Sequence, residues 1–444
     1  MLIPEKDIQY SQYSLMDTFG KVFFWDNRVF RGVTDENALK KYNQLNECGL
    51  LSTLIEEQLF PETIKTEFFT EKYFIVLEHS KIHPQSFIYE WSFDMVKAAG
   101  FCILNVNKIA SKFGYVTIDA HPYNVLFKGC QALFLDLGSF IENKKDKEWN
   151  AEKEFNGFYN YPLKIWNKVG YAMARRIYSD LSCLSYEEYN LLKMISLPNF
   201  INTIPLIYKR VILKLCRVLH LKKKTDFLKI EKRLTDIKYK TKKSIWSNYH
   251  ESYLKDNAID SSPRFDYIIQ RTKELGIASA TELAGNWGLF SYLLLKRTNV
   301  QNIICTDYDE IAVNRMFHFF KNSEYKQSLS PVLIDFMRPV ELYISGKPSK
   351  RFKSESVYAL AVTHHLIIGQ GYNIESIFQK IGEYTSKFIF IEFMPLGLWD
   401  GNNSTPVPTW YNQKWFKEKF ELFYELIEIK ELEKNRILFI GTIK

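Results

Sequence analysis

A chain of 444 residues exceeds what one hydrophobic core usually serves, so two or three domains are expected, and 46% apolar with 16% aromatic residues excludes a disordered polymer. The net charge of +8 is concentrated, because Lys222–Lys243 holds ten Lys or Arg against three Asp or Glu and the rest of the chain is close to neutral. That distribution argues against the broad basic face of a nucleic-acid-binding domain, so no nucleic acid is expected as a partner.

The opening residues, MLIPEKDIQY, lack a charged stretch followed by an apolar one, and no apolar run is long enough to span a bilayer. A soluble or peripheral cytoplasmic protein is expected. Residues 15–33 give two alternating apolar runs around Asp26-Asn27, a hairpin signal. A helix is expected over Glu36–Gln58, where Leu45, Cys48, Leu51 and Leu54 recur at helical spacing behind a Thr34-Asp35 cap. Phe68–Glu78 reads as a strand pair about Thr70–Lys72, and Ser92–Phe113 as an amphipathic helix.

Thr117–Phe140, TIDAHPYNVLFKGCQALFLDLGSF, places Asp119 and Asn124 five apart and ends a strand at Asp136-Leu137-Gly138. The stretch resembles the D-x-H-P-x-N and D-F-G signature of small-molecule kinases of the aminoglycoside and choline kinase type. The resemblance implies Asp119 as a catalytic base, with Asn124 and Asp136 holding Mg²⁺ against the phosphates of a bound ATP. Two departures stand against it: no glycine-rich loop precedes the motif, and Arg28 or Arg31 would have to replace the usual lysine. The bland alternative is an Asp/Asn-rich turn between core strands.

A mostly helical region is expected to about Asn199, then a basic amphipathic helix over Ile204–Leu221 that runs into the lysine-rich segment. The segment reads first as a solvated linker and second as a surface for an anionic partner. Peripheral contact of 204–243 with an anionic membrane is the sharpest form of that second reading.

Ala280–Glu310 reads as strand, glycine-containing turn, helix and second strand. Glu282 ends the first strand, Gly285, Asn286 and Gly288 make the turn, and Asp307 ends the second strand, where a carboxylate can take both ribose hydroxyls of a nucleoside. An acid at Glu282 repels a pyrophosphate and suits an ammonium or sulfonium. The turn resembles the E/D-x-G-x-N-x-G motif of class I S-adenosylmethionine (SAM) methyltransferases, with Ala284 in place of the first glycine that family usually shows. The resemblance implies that Glu282 and Gly285–Gly288 line the methionine end. Further strands are expected to end at Asp335, an acceptor for the adenine amine, at His364-His365, and at Glu392, before a terminal hairpin over Tyr424–Thr442.

The expected fold is therefore α/β: an α+β kinase-like domain over 1–200, a basic helical linker over 201–255, and a Rossmann-like seven-stranded methyltransferase sheet over 256–444. Glu90-Trp91-Ser92, Asp119–Asn124, Glu282–Gly288, His364-His365-Leu366 and Glu392-Phe393 together resemble the nodulation-protein-type (NoeA-like) SAM methyltransferases. That resemblance implies a cytoplasmic two-part protein associated with polysaccharide or nodulation-factor modification, with a sugar, glycan precursor or related small molecule as methyl acceptor. For a hydroxyl acceptor His365 is the first choice of base and His364 the second, with Glu392 orienting the histidine or the acceptor. Two rivals remain open: a bifunctional kinase–methyltransferase, and a non-catalytic scaffold built on two degenerate nucleotide folds. Six cysteines, Cys48, Cys102, Cys130, Cys183, Cys216 and Cys305, form no C-x-x-C pair, as expected of reduced thiols without structural zinc.

Overall fold

The computed structural model describes residues 1–14, 17–143, 149–179, 182–195, 225–240, 263–342, 345–399 and 406–444. The first half opens on a five-stranded antiparallel sheet of β1 (Gln9–Tyr10), β2 (Gly20–Trp25), β3 (Arg28–Val33), β4 (Thr63–Lys65) and β5 (Ile75–His79), in the order β1-β2-β3-β5-β4. The expected β2/β3 hairpin is present, and Asp26 and Asn27 turn it with φ of 47° and 58°, as a tight two-residue turn requires.

Two local expectations fail for identifiable reasons. The helix over Glu36–Gln58 is broken: Glu36–Glu47, capped by Asp35, ends where Gly49 adopts φ 84°, and a second helix runs Leu50–Glu56. Phe68–Glu78 is not a strand pair; Ile75–His79 pairs with Thr63–Lys65 and β3, while Phe69 meets Leu2 in an isolated bridge.

The Phe93–Lys112 helix carries the first half, and against it pack β6 (Tyr115–Thr117) with β9 (Phe140–Glu142), and β7 (Val125–Lys128) with β8 (Gln131–Phe134). Helices follow at Tyr161–Val169, Tyr171–Ser179 and Tyr186–Ile195. Part of the expected linker is not solvated. Phe227–Thr235 is a helix that buries Ile230 and Leu234, and Leu234 approaches Gly100 of the Phe93–Lys112 helix. Lys97 donates to the Thr235 and Ile237 carbonyls, and Lys108 pairs with Glu231 at 2.6 Å. The Ile204–Leu221 helix lies outside the described residues.

The second half is the seven-stranded mixed sheet expected from the sequence. Its strands are β10 (Ser279–Glu282), β11 (Asn302–Asp307), β12 (Leu329–Leu333), β13 (Ser354–Ala359), β14 (Thr385–Phe393), β15 (Tyr424–Glu433) and β16 (Arg436–Ile443), in the order β12-β11-β10-β13-β14-β16-β15. The first five are parallel and β16 is antiparallel to both neighbours. The order reverses at β10, so the tips of β10, β11 and β13 border a crevice, the place where open parallel sheets bind ligands. A helix over Ile374–Glu383, which sequence reading did not anticipate, covers one face.

The halves share one hydrophobic core that runs from Phe19 to Ile440. Across their junction Arg351 forms a bidentate pair with Glu90, Tyr89 donates to Ser345 at 2.6 Å, and the Asp94 amide donates to Asn314 at 2.9 Å. Gly129 is required there, because a Cβ at this position would lie 2.3 Å from the Lys326 carbonyl oxygen.

Candidate functional site

The strand order leaves a cavity of about 590 Å³ at the tips of the parallel strands, lined by Glu282, Gly285, Asn286, Asp307, Asp335 and His365 among others. Six residues chosen from sequence therefore meet in one cavity.

Backbone geometry shapes the turn. Ala284 and Asn286 both take positive φ, 56° and 54°, and a Cβ on Gly285 would sit 2.4 Å from Cys305 Sγ and 2.7 Å from the Glu282 carboxyl. Such conformations in residues other than glycine are held by their surroundings and mark ligand-binding turns. Gly288, at φ 84°, starts the Leu289–Arg297 helix behind the turn and is not part of the lining.

The acids differ in what they hold. Glu282 accepts from the Ser291 hydroxyl and amide and from Cys305, and its burial raises its pKa to about 7. Asp307 accepts the Asn286 and Asp309 amides at 2.8 Å each, one per oxygen, and burial lifts its pKa to about 6. These bonds, with a further one from the Tyr308 amide, orient the carboxylate. Asp335 accepts the Met337 and Arg338 amides and pairs with the Arg338 side chain at 3.2 Å.

The histidine pair splits. His365 lines the cavity, with a pKa lowered by burial, whereas His364 stands behind it with ring centroids 4.0 Å apart. Burial, then His365 and Arg436, depress His364 to about 3, so it stays neutral.

Glu392 requires a correction. It is fully buried and holds Arg264 in a bidentate pair and Arg436 at 3.2 Å, so it orients a guanidinium and neither histidine. Arg264 itself lines the cavity and escaped sequence reading, as did Tyr308, Phe336 and Tyr372. One signal was available for Arg264: a cation in the first turn of the Pro263–Glu274 helix opposes the helix dipole and asks for a local reason.

The second sequence motif also assembles. Asn124 donates to Asp119 at 2.7 Å, Ser139 donates to the same carboxylate at 3.2 Å, and Asp136 is held through the Gly138 amide at 2.8 Å. Asn124, Asp136 and Ser139 line a separate cavity of about 460 Å³ under β2 and β3. Burial raises Asp136 to about 6 and also raises Asp119. Of the two arginines expected to replace the lysine, Arg28 is paired with Glu78 and Arg31 with Asp17 at 2.6 Å.

No model of a protein family matches the chain. Over 417 residues it is 24% identical to nodulation protein NoeA of Rhizobium meliloti (strain 1021), covering 86% of this chain and 84% of that protein. Among solved structures, a SAM dependent methyltransferase from Aquifex aeolicus is similar at 12% identity and a TM-score of 0.33, over 46% of this chain and all of that one. The N-methyltransferase NodS from Bradyrhizobium japonicum WM9 is similar at 9% identity and a TM-score of 0.29, over 40% of this chain and 93% of that one. At these scores the structural overlaps carry no argument of their own.

Proposed function

We propose that the chain is a SAM-dependent methyltransferase acting on a sugar, glycan precursor or related small molecule. The observation that carries this reading is the convergence of Glu282, Gly285, Asp307 and Asp335 on one cavity at the point where the strand order reverses. The relationship to NoeA over most of both chains agrees with it.

The residues fit the cofactor. Glu282 is a buried carboxyl without a cationic hydrogen-bond partner among the described residues, the group a ligand ammonium would satisfy. Gly285 leaves open the space a side chain would fill against Cys305. Asp307 would take the ribose hydroxyls, Tyr308 and Phe336 would flank the base, and Asp335 would accept its amine. SAM when bound supplies an electrophilic sulfonium methyl. The protein's part is to align an acceptor with that carbon and to exclude water. His365, kept neutral by burial, would take the proton of an acceptor hydroxyl.

The test is calorimetric titration with S-adenosylhomocysteine. Micromolar binding by the wild type, lost in Asp307→Ala, supports the cofactor site. No binding by the wild type would move the scaffold reading into first place.

A phosphoryl-transfer role for the first half is the second reading, favoured by Asn124 and Asp136 lining one cavity with Asn124 bonded to Asp119, although Asp119 does not line that cavity. The residues do not fit Mg-ATP well. Arg28 and Arg31 are consumed by carboxylates, and Lys21 and Lys41 donate to the main-chain carbonyls of Ser14, Asp17 and Gly138.

A further inference from the structure

One end of the second-half cavity carries an open acceptor and an open donor of opposite charge. The Ser291 amide and hydroxyl and the Cys305 thiol all donate to Oε2 of Glu282, so Oε1 takes no hydrogen bond among the described residues. Arg264 gives Nε and Nη2 to Glu392, which leaves Nη1 without an acceptor among the described residues. Neither Oε1 nor Nη1 is among the unpartnered polar atoms that are closed off from solvent, so each keeps accessible surface, and both residues line the cavity. Burial raises the Glu282 pKa while the Arg264 charge pulls it back down, which places the guanidinium within electrostatic reach of the carboxyl.

Both groups are held in place before any ligand arrives. The fork with Glu392 fixes the guanidinium plane, and its carbon lies 4.7 Å from the centre of the Phe265 ring, which meets Phe290 at 5.2 Å. A Cβ at position 285 would lie 2.7 Å from Glu282 Cδ, so a glycine there keeps the carboxyl uncovered. Charge on the Arg264 wall is not balanced from within. Glu392 is one buried carboxylate against two guanidinium groups, Arg264 and Arg436, and Glu433, the other partner of Arg436, stands in solvent.

A phosphate would satisfy Nη1 but stand against the Glu282 carboxylate. A simple amine would satisfy Oε1 and leave the guanidinium open, and a neutral hydroxyl would compensate neither charge. An α-amino acid carries an ammonium and a carboxylate on one carbon and answers both. We infer that Arg264 and Glu282 together form a subsite for the zwitterionic amino-acid end of the ligand, with Arg264 Nη1 donating to its carboxylate and Glu282 Oε1 accepting from its ammonium. The identity of that ligand rests on the SAM reading; what Arg264 adds is selection for a methyl donor that keeps its carboxylate.

The experiment is calorimetric titration of the full chain with three adenosine thioethers: S-adenosylhomocysteine, its decarboxylated counterpart S-adenosyl-3-thiopropylamine, and 5′-methylthioadenosine, which lacks both charges. The wild type should bind S-adenosylhomocysteine at least tenfold more tightly than the decarboxylated compound. Arg264→Met should erase that difference by weakening S-adenosylhomocysteine alone, whereas damage to the fold would weaken all three ligands alike. If Arg264→Met does not fold, the double variant with Glu392→Met takes its place, and the wild-type comparison of the first two ligands decides without any variant. Equal wild-type affinity for those two, or a loss in the variant shared by all three, overturns the inference while leaving the cofactor site standing. No binding of any of the three by the wild type overturns the cofactor reading and the inference with it.

Discussion

Arg264 and Glu392, 128 residues apart, meet in a buried fork: Nε and Nη2 of the arginine donate to the two carboxylate oxygens, the first at 2.6 Å, with side chains 8% and 0% exposed. The pair ties the helix ahead of β10 to the tip of β14 and so fixes one wall of the cavity. Arg436 reaches the same carboxylate at 3.2 Å, which leaves Glu392 between two cations.

Removing Arg264 leaves the buried Glu392 only the Arg436 contact at 3.2 Å, and breaking a buried pair from one side costs at most about 3–5 kcal/mol. Urea unfolding should therefore show Arg264→Met destabilised by no more than that. The double variant Arg264→Met with Glu392→Met should be less destabilised than the single one, because the half-paired anion is gone and Arg436 keeps Glu433. Equal costs for the single and double variants would refute a dominant electrostatic role.

Glu282 gives stability a pH dependence of defined sign. Its folded pKa is raised, from 4.5 to about 7, so its contribution is fully present below the unfolded value and is lost as pH rises through the folded one. At 1.36 kcal/mol per unit this is at most about 3 kcal/mol lost between pH 4.5 and 7. Glu282→Gln should flatten that part of the stability curve, measured by urea unfolding at several pH values against the wild type.

Gly285→Ala places a methyl 2.4 Å from Cys305 Sγ. The turn must shift to admit it, and S-adenosylhomocysteine affinity should fall at least tenfold, alongside a stability loss of about 1–3 kcal/mol as for other overpacked sites. Gly288→Ala, at φ 84° outside the lining, should instead cost stability, about 1 kcal/mol, with a smaller effect on binding.

On the methyl-transfer reading, His365→Ala lowers turnover and leaves cofactor affinity intact. Because burial lowers the pKa of His365, the wild-type rate should stay level down to the ordinary imidazole range near 6.5 and fall only at lower pH. Loss of cofactor binding in the variant would assign His365 to the donor site instead of the acceptor.

At the junction, Gly129→Ala drives a methyl toward the Lys326 carbonyl and onto a φ of +60°. A loss of about 1–3 kcal/mol is expected, as for other overpacked sites, read by chemical denaturation. An unchanged midpoint would mean that the two halves do not depend on this contact.

Much of the second half was legible because its strands are apolar runs that end in acids, and the end of a parallel strand is where a ligand lies. Glu282, Asp307 and Asp335 could be placed on that ground alone. The break after Cys48 was not legible, since Leu51 and Leu54 continue the helical spacing across it; only the left-handed Gly49 ends the first helix. The strand pairing of Ile75–His79 was missed because its partner, Thr63–Lys65, is a three-residue edge strand with no periodicity to detect.

The sequence by itself determined the parallel strands, the Gly285 turn and the gathering of Asp119, Asn124 and Asp136, because each is encoded within a short stretch by chain reversal and hydrophobic period. Tertiary structure alone decided the partners of charged groups. Glu392 serves Arg264, Arg31 serves Asp17, and Arg351 joins the halves through Glu90. Such pairings depend on which side chains are desolvated together after distant segments pack, and local sequence carries no record of that.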